Sequence, residues 1–195
     1  MPSSQAVLSV QDAIEQRSSV RSYRLGKLPW VSITALLAAA VRAPTAEHAE
    51  PWAFAVVQDT DLLKRVSERA RLLFADEPHQ ALLHQGGRAL DIFAKHDFNV
   101  FHDAGTLIVI GSESNAPFVS ADCWLAAGTL MLAACAMGLG TCVVGSAIAA
   151  LNLPETKAEM GVPADFTAVV PIVVGIPAGP TSATSRRAPC VIAWT

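Results

Sequence analysis

The stretch from Asp122 to Gly145 reads DCWLAAGTLMLAACAMGLGTCVVG, and after Asp122 no charged residue occurs until Glu155. Alanine, leucine, methionine and cysteine occupy every side of any helix drawn over residues 123–137, so such a helix is expected to be buried all round. Asp122 is expected to cap its start. Gly138 and Gly140 are expected to end it, supplying backbone conformations that other residues resist. The chain then enters Thr141-Cys142-Val143-Val144-Gly145, a short β-prone run whose main chain can approach a flat ligand. The stretch is long enough to cross a bilayer. However, the glycines cut it into a helix too short to span, and neither a basic cluster nor an aromatic belt flanks it. A buried central helix is the expected reading.

Around this core the periodicities define further elements. Residues 104–111 contain Thr106-Leu107-Ile108-Val109-Ile110, a fully buried strand. Residues 166–175 form another, in which Pro171 is expected at an edge or bulge, and residues 52–57 alternate like a third. Helices are expected over 10–16, over 30–43 with Pro44 as the stop, over 147–151, and over 155–160 behind Pro154. A helix over 61–73 is expected to carry Lys64, Arg65, Glu68, Arg69 and Arg71 on its outer face. Residues 76–87, punctuated by Pro78 and a glycine pair, read as helices with a mobile connection around Arg88, with His79 and His84 on the surface. Residues 88–101 read as helical, with Phe93, Phe98 and Phe101 either in the core or in a lid over a planar substrate. A Pro/Gly/Ser/Thr-rich tail, 176–189, carries Arg186-Arg187 before the short run 190–194. No repeat or linker divides residues 1–195, so one domain is expected, with a variable lid region at about 60–103.

Composition narrows the function. A net charge of −3 with 16% charged residues leaves no basic footprint for nucleic acid. Hydrophobic residues make up 52% of the chain, more than one core readily hides, and imply a homo-oligomer. The four cysteines form no CxxC pair, and three lie in the apolar stretch, which fits reduced thiols in the cytoplasm. The first residues, MPSSQAVLSV, lack the pattern of a signal peptide. The five histidines lack zinc-type spacing, so no metal site is expected. Gly138-Leu139-Gly140 closes a helix instead of opening one, which excludes a dinucleotide fingerprint. No P-loop, nucleophile elbow or HExxH motif is present.

Two segments carry chemistry. Arg17-Ser18-Ser19-Val20-Arg21-Ser22-Tyr23 sets two guanidinium groups and several hydroxyls close together. Arginine forks match phosphate oxygens, and each charge-assisted bond contributes about 1.5–3 kcal/mol. The same residues also read as two solvated arginines beyond a helix end. The loop 44–51, held between Pro44 and Pro51, either presents polar groups to a ligand or is simply polar.

These segments occur in an order that resembles the nitroreductase family of FMN-dependent oxidoreductases. Residues 17–23 resemble its R-x-S-[VI]-R-x-[FY] opening, and residues 43–52, APTAEHAEPW, its A-P-S-x-x-N-x-Q-P-W loop. Residues 125–134, continuing through 138–145, are similar to its D-x-x-L-A-A-x-N-L-x-L-A-A…G-L-G-T-x-W-I-G run, and Arg186-Arg187 follow a V-V-G-x-P-like segment at 173–177. The resemblance implies a homodimeric α+β protein, a three-layer α/β/α arrangement around a mixed, largely antiparallel sheet, with FMN at the dimer interface. Arg17, Ser19, Arg21 and Arg187, with Arg186 a weaker candidate, would hold the phosphate, and Ser18 would also belong to the cofactor site. His48 and Glu50 would meet the pyrimidine edge, and the main chain at Val143, Val144 and Gly145 would lie beside the isoalloxazine. This sequence departs from the pattern in several places: His48 stands for asparagine, Glu50 for glutamine, Ser18 for arginine or histidine, Thr129 for asparagine and Val143 for tryptophan.

The implied activity is ping-pong hydride transfer from NADH or NADPH through FMN to a small acceptor such as a nitroaromatic or quinone. No protein nucleophile is required; His48 and His102 are candidate proton donors. Two alternatives remain: an FMN-sequestering protein without useful turnover, and an FMN-dependent dehydrogenase of specialised metabolism. Neither nucleic acid nor membrane is expected as a partner.

Overall fold

The computed structural model describes residues 8–76 and 98–195; the features expected at His79, His84, Arg88 and Phe93 lie outside the described residues. Four strands form one sheet: β1 (Ala53–Val57), β2 (Leu107–Ser112), β3 (Gly140–Val143) and β4 (Thr167–Gly175), in the order β1-β2-β4-β3. All three ladders are antiparallel. The parallel component of the expected mixed sheet is, among the described residues, an isolated bridge between Ser19 and Thr141.

Alternation along the strands divides the core into two layers. Leu107, Val109, Ala168 and Val173 face one side, with Leu62, Leu63, Val66 and Ala70 of α3 (Thr60–Asp76) and the fully buried Phe101. Ile108, Ile110, Val170, Ile172 and Val174 face the other, against α2 (Trp30–Ala40) and α4 (Val119–Ala136). The result is the expected α+β, three-layer arrangement. Phe101 is therefore a core ring and not part of a lid, and the chain from Phe98 to Asp103 is extended and turn, not the end of a helix.

Several expectations about the central segment are corrected. α4 is buried along one face only, through Val119, Asp122, Cys123, Ala126, Ala127, Leu130 and Ala134. Trp124 and Leu125 on the opposite side are each 47% exposed. Small side chains let one side of the helix lie close to the sheet, and among the described residues nothing buries Trp124 and Leu125 on the other side. By length and apolarity α4 could cross a bilayer, yet its buried face is taken up by the sheet and α2. Asp122 does not cap it: Phe118 is the N-cap and gives no side-chain bond, while Asp122 lies one turn in. Gly138, at φ 71°, does end the helix. The Leu139 N–H donates to the Ala134 carbonyl at 2.8 Å and the Gly138 N–H to Cys135 at 3.0 Å, the two bonds of a Schellman turn. Gly140 has a different role, because a Cβ there would sit 2.7 Å from the Val20 side chain.

Three further departures have local causes. Pro171 lies in β4, between β2 and β3, not at an edge. Its carbonyl accepts the Val144 N–H at 2.9 Å, so its missing donor points to the side where β3 has just ended. The register slips one step away, between Ile110 and Gly111 of β2. α2 stops at Ala40 and 43 is reached through tight turns, because the residue before Pro44 is biased away from helix. Arg71 is buried, not outward, and its guanidinium bonds to Glu68.

Candidate functional site

The short helix α1 (Val10–Gln16) begins with a capping box: the Asp12 N–H donates to Ser9 Oγ, and the Ser9 N–H to the Asp12 carboxylate, each at 3.1 Å. It ends at Arg17, and residues 18–23 then run extended along the open edge of β3. The Val20 N–H donates to the Thr141 carbonyl at 2.9 Å, the Arg24 N–H to Ile176 at 2.8 Å and the Ala178 N–H to Ser22 at 3.0 Å. Two glycines permit the approach. A Cβ on Gly140 would strike Val20, and one on Gly175 would lie 2.9 Å from the Tyr23 ring. Tyr23 is buried and donates from its hydroxyl to the Val20 carbonyl at 2.6 Å.

A cavity of about 600 Å³ opens beside this segment, lined by Ser18, Ser19 and Arg21 on one side and by Pro177, Gly179 and Thr181 on the other. A second, of about 160 Å³, adjoins it and is lined by Arg17, Ser18, Cys135, Gly138, Thr141 and Thr181. Ser18 and Thr181 line both. Both arginines act on the same buried thiol. Burial raises the pKa of Cys142, and the positive charges of Arg21 and Arg17 oppose the rise. The Cys135 thiol is raised by burial and opposed by Arg17 in the same way. Arg17, Ser18, Ser19 and Arg21 are thus brought together. Arg186 and Arg187 are exposed on the irregular tail and line neither cavity. The contribution of the tail through Pro177–Thr181 escaped the sequence reading, although its Gly, Pro and Thr content was the available signal.

Val143 ends β3, Val144 follows it and Gly145 opens a 3₁₀ turn. The Val144 N–H is already engaged by Pro171, whereas Gly145 is exposed and a Cβ built there meets nothing within 4 Å. His48 and Glu50 lie exposed on the loop before β1. Glu47, His48 and Glu50 take φ values of 53°, 55° and 45°, left-handed conformations in which none is glycine. The loop is fastened by a bond that sequence reading missed, from the Ala46 N–H to Asp122 Oδ1 at 3.1 Å. The signal was a lone acid at the head of an uncharged run, since a buried carboxylate needs a partner.

His102, also left-handed at φ 55°, is half-buried and meets the Phe98 ring edge-on, centroids 6.1 Å apart. It shares a cavity of about 420 Å³ with Arg21, Tyr23, Asn99 and Asp103. Burial lowers its pKa, Arg21 lowers it further, and Asp103 opposes both.

Comparison with known proteins matches the fold. A nitroreductase from Bacteroides fragilis, solved with bound FMN, superposes with a TM-score of 0.80 over 96% of this chain and 100% of that one, at 23% identity. The iodotyrosine deiodinase of Thermotoga neapolitana is 30% identical over 137 residues, 67% of this chain and 70% of that protein. A Methanothermobacter thermautotrophicus protein named as an NADH dehydrogenase/NAD(P)H nitroreductase is 27% identical over 71% of this chain, which spans 61% of its length. The sequence model of the nitroreductase family matches residues 14–176, nearly the whole of the described fold, and the chain belongs to that family.

Proposed function

We propose that the chain is an FMN-dependent oxidoreductase working as a homodimer. The observation that carries this reading is the convergence of Arg17, Ser18, Ser19 and Arg21 on adjoining cavities that, among the described residues, no carboxylate lines. Cations and hydroxyls, without a described carboxylate in these two cavities, suit a phosphate dianion. These four residues would hold the phosphate, with Arg187 and, more weakly, Arg186 reaching it from the tail. The exposed Gly145, with Val143 and Val144, would lie beside the ring, and the His48–Glu50 loop at its pyrimidine edge. Bound there, FMN supplies hydride chemistry between NADH or NADPH and an electrophilic acceptor such as a nitroaromatic or quinone. The protein contributes orientation and exclusion of water. The uncovered face of α4 supports the dimer.

A second reading, sequestration of FMN without turnover, draws on Glu47 and Glu50. Two exposed carboxylates near the ring would disfavour its reduced anion. One experiment separates the two. The purified protein is expected to be yellow or to take up added FMN, and anaerobic NADH or NADPH is expected to bleach it. Nitroaromatic, quinone and halogenated aromatic acceptors, the last prompted by the deiodinase relative, should then restore the colour at different rates. Bound flavin that neither donor reduces would establish sequestration, and a colourless protein that refuses FMN would end both readings.

A further inference from the structure

We infer that Asp122 is a positioning residue for the flavin-facing loop: its Oδ1 accepts the Ala46 N–H and so holds Glu47, His48 and Glu50 in the left-handed conformations that present the loop to the cofactor. The inference rests on the reading of the site as an FMN site, but the clamp itself is a property of the chain.

Asp122 is 3% exposed and is the last charge before Glu155. A buried carboxylate is costly unless it is hydrogen-bonded, and the bond it makes crosses 76 positions of sequence to Ala46. Left-handed backbone in residues other than glycine is strained and persists only where the surroundings over-determine it. Three such residues, Glu47, His48 and Glu50, follow Ala46 within four positions. The loop's own bonds are slight, with the Ala49 N–H donating to Ala46 at 3.0 Å and the Glu50 N–H to Thr45 Oγ1 at a long 3.5 Å. Both run within the loop, so neither fixes it to the body. Beneath it a cavity of about 190 Å³ is lined by Ala46, Glu47, Ala49, Pro51, Phe118 and Asp122, leaving room for the loop to sink if the bond is lost. Asp122 meanwhile sits on α4, whose far end, at Cys135 and Gly138, walls the cavity of Arg17. One helix would therefore set the distance between the phosphate end and the ring end of the cofactor.

The test compares the parent protein with Asp122→Ala and Asp122→Asn. Amide exchange of a peptide covering residues 44–51 is followed by mass spectrometry without cofactor, and FMN and riboflavin are titrated separately by fluorescence. Asp122→Ala is expected to speed exchange in that peptide roughly tenfold or more, the scale of one bond to a charged acceptor. It is expected to weaken FMN and riboflavin by the same factor and to shift the absorption bands of the bound flavin, because ring contacts are lost and phosphate contacts are kept. Asp122→Asn keeps an oxygen at the same place and should restore parental exchange and spectrum. Parental exchange in a folded Asp122→Ala overturns the clamp. So does a lowered melting temperature with an unmoved flavin spectrum, or an Asp122→Asn as defective as Asp122→Ala. If Asp122→Ala does not fold, Asp122→Ser, too short to reach Ala46, makes the same comparison. A parent that binds no FMN overturns the cofactor reading instead, and the exchange comparison still decides whether Asp122 clamps the loop.

Discussion

Arg17 at the end of α1 and Arg21 on the extended segment after it line adjoining cavities, which places two guanidinium groups at the proposed phosphate site. Replacing either by alanine should weaken FMN about tenfold or more, the scale of one charge-assisted bond. Riboflavin, which lacks the phosphate, should bind as before; parallel fluorescence titrations measure the difference. His102 makes a prediction with a definite sign. Its folded pKa lies below the ordinary 6.5, so the unfolded chain takes up its proton more readily than the folded one. Stability from this residue is present above 6.5 and is lost as pH falls from 6.5 through the lower folded value. His102→Gln should therefore flatten the fall of melting temperature between neutral pH and about pH 5. The contrast between Arg17 and Asp122 shows what sequence reveals at this scale. The arginines were legible because their partners in the motif are neighbours in the chain. The role of Asp122 was not, because Ala46 lies 76 residues away and an acid at a helix start reads first as a cap.

At the scale of elements, the placement of the 17–23 segment depends on missing side chains. Gly140→Ala would put a methyl 2.7 Å from Val20, an overpacking expected to cost about 1–3 kcal/mol and to lift the arginines away from their cavity. Adding Val20→Ala makes room, so denaturant melts and FMN titrations should show the double variant recovering part of both losses. A different joint ties α3 to α5 (Pro154–Met160), where Glu159 pairs with Arg69 and Arg65. The Arg69 and Arg65 bonds hold its pKa below the ordinary 4.5. That stabilisation is present above the unfolded value and is lost as pH falls through the lower folded one. Glu159→Gln should lower the melting temperature at neutral pH and converge with the parent in acid. Elements set by local rules were the readable ones: α1 spans Val10–Gln16, the range its spacing gives. The early start of α4 was not readable, since Phe118 contributes no capping side chain. Nor was Pro171 in a central strand, because only the end of β3 beside it makes the missing donor harmless.

For the molecule as a whole, the decisive fact is that α4 is apolar on both sides while the described residues of one chain cover only one. Trp124 and Leu125 are each 47% exposed, and Met137 is 39% exposed where the helix turns into the wall of the Arg17 cavity. Val191, Ile192 and Trp194 leave the tail barer still, at 60%, 97% and 92% exposure. Apolar surface on this scale ordinarily marks an interface, and in a closed homodimer the same patch on each copy covers the other. Because the uncovered helix also walls the cavity, association and cofactor binding should fail together. Leu125→Glu places a charge in the proposed interface without touching the packed face of α4. It is expected to sediment as a monomer with parental far-UV circular dichroism and to lose FMN. A variant that remains dimeric, or a monomer that keeps full FMN affinity, would separate the helix face from the site and disprove the coupling.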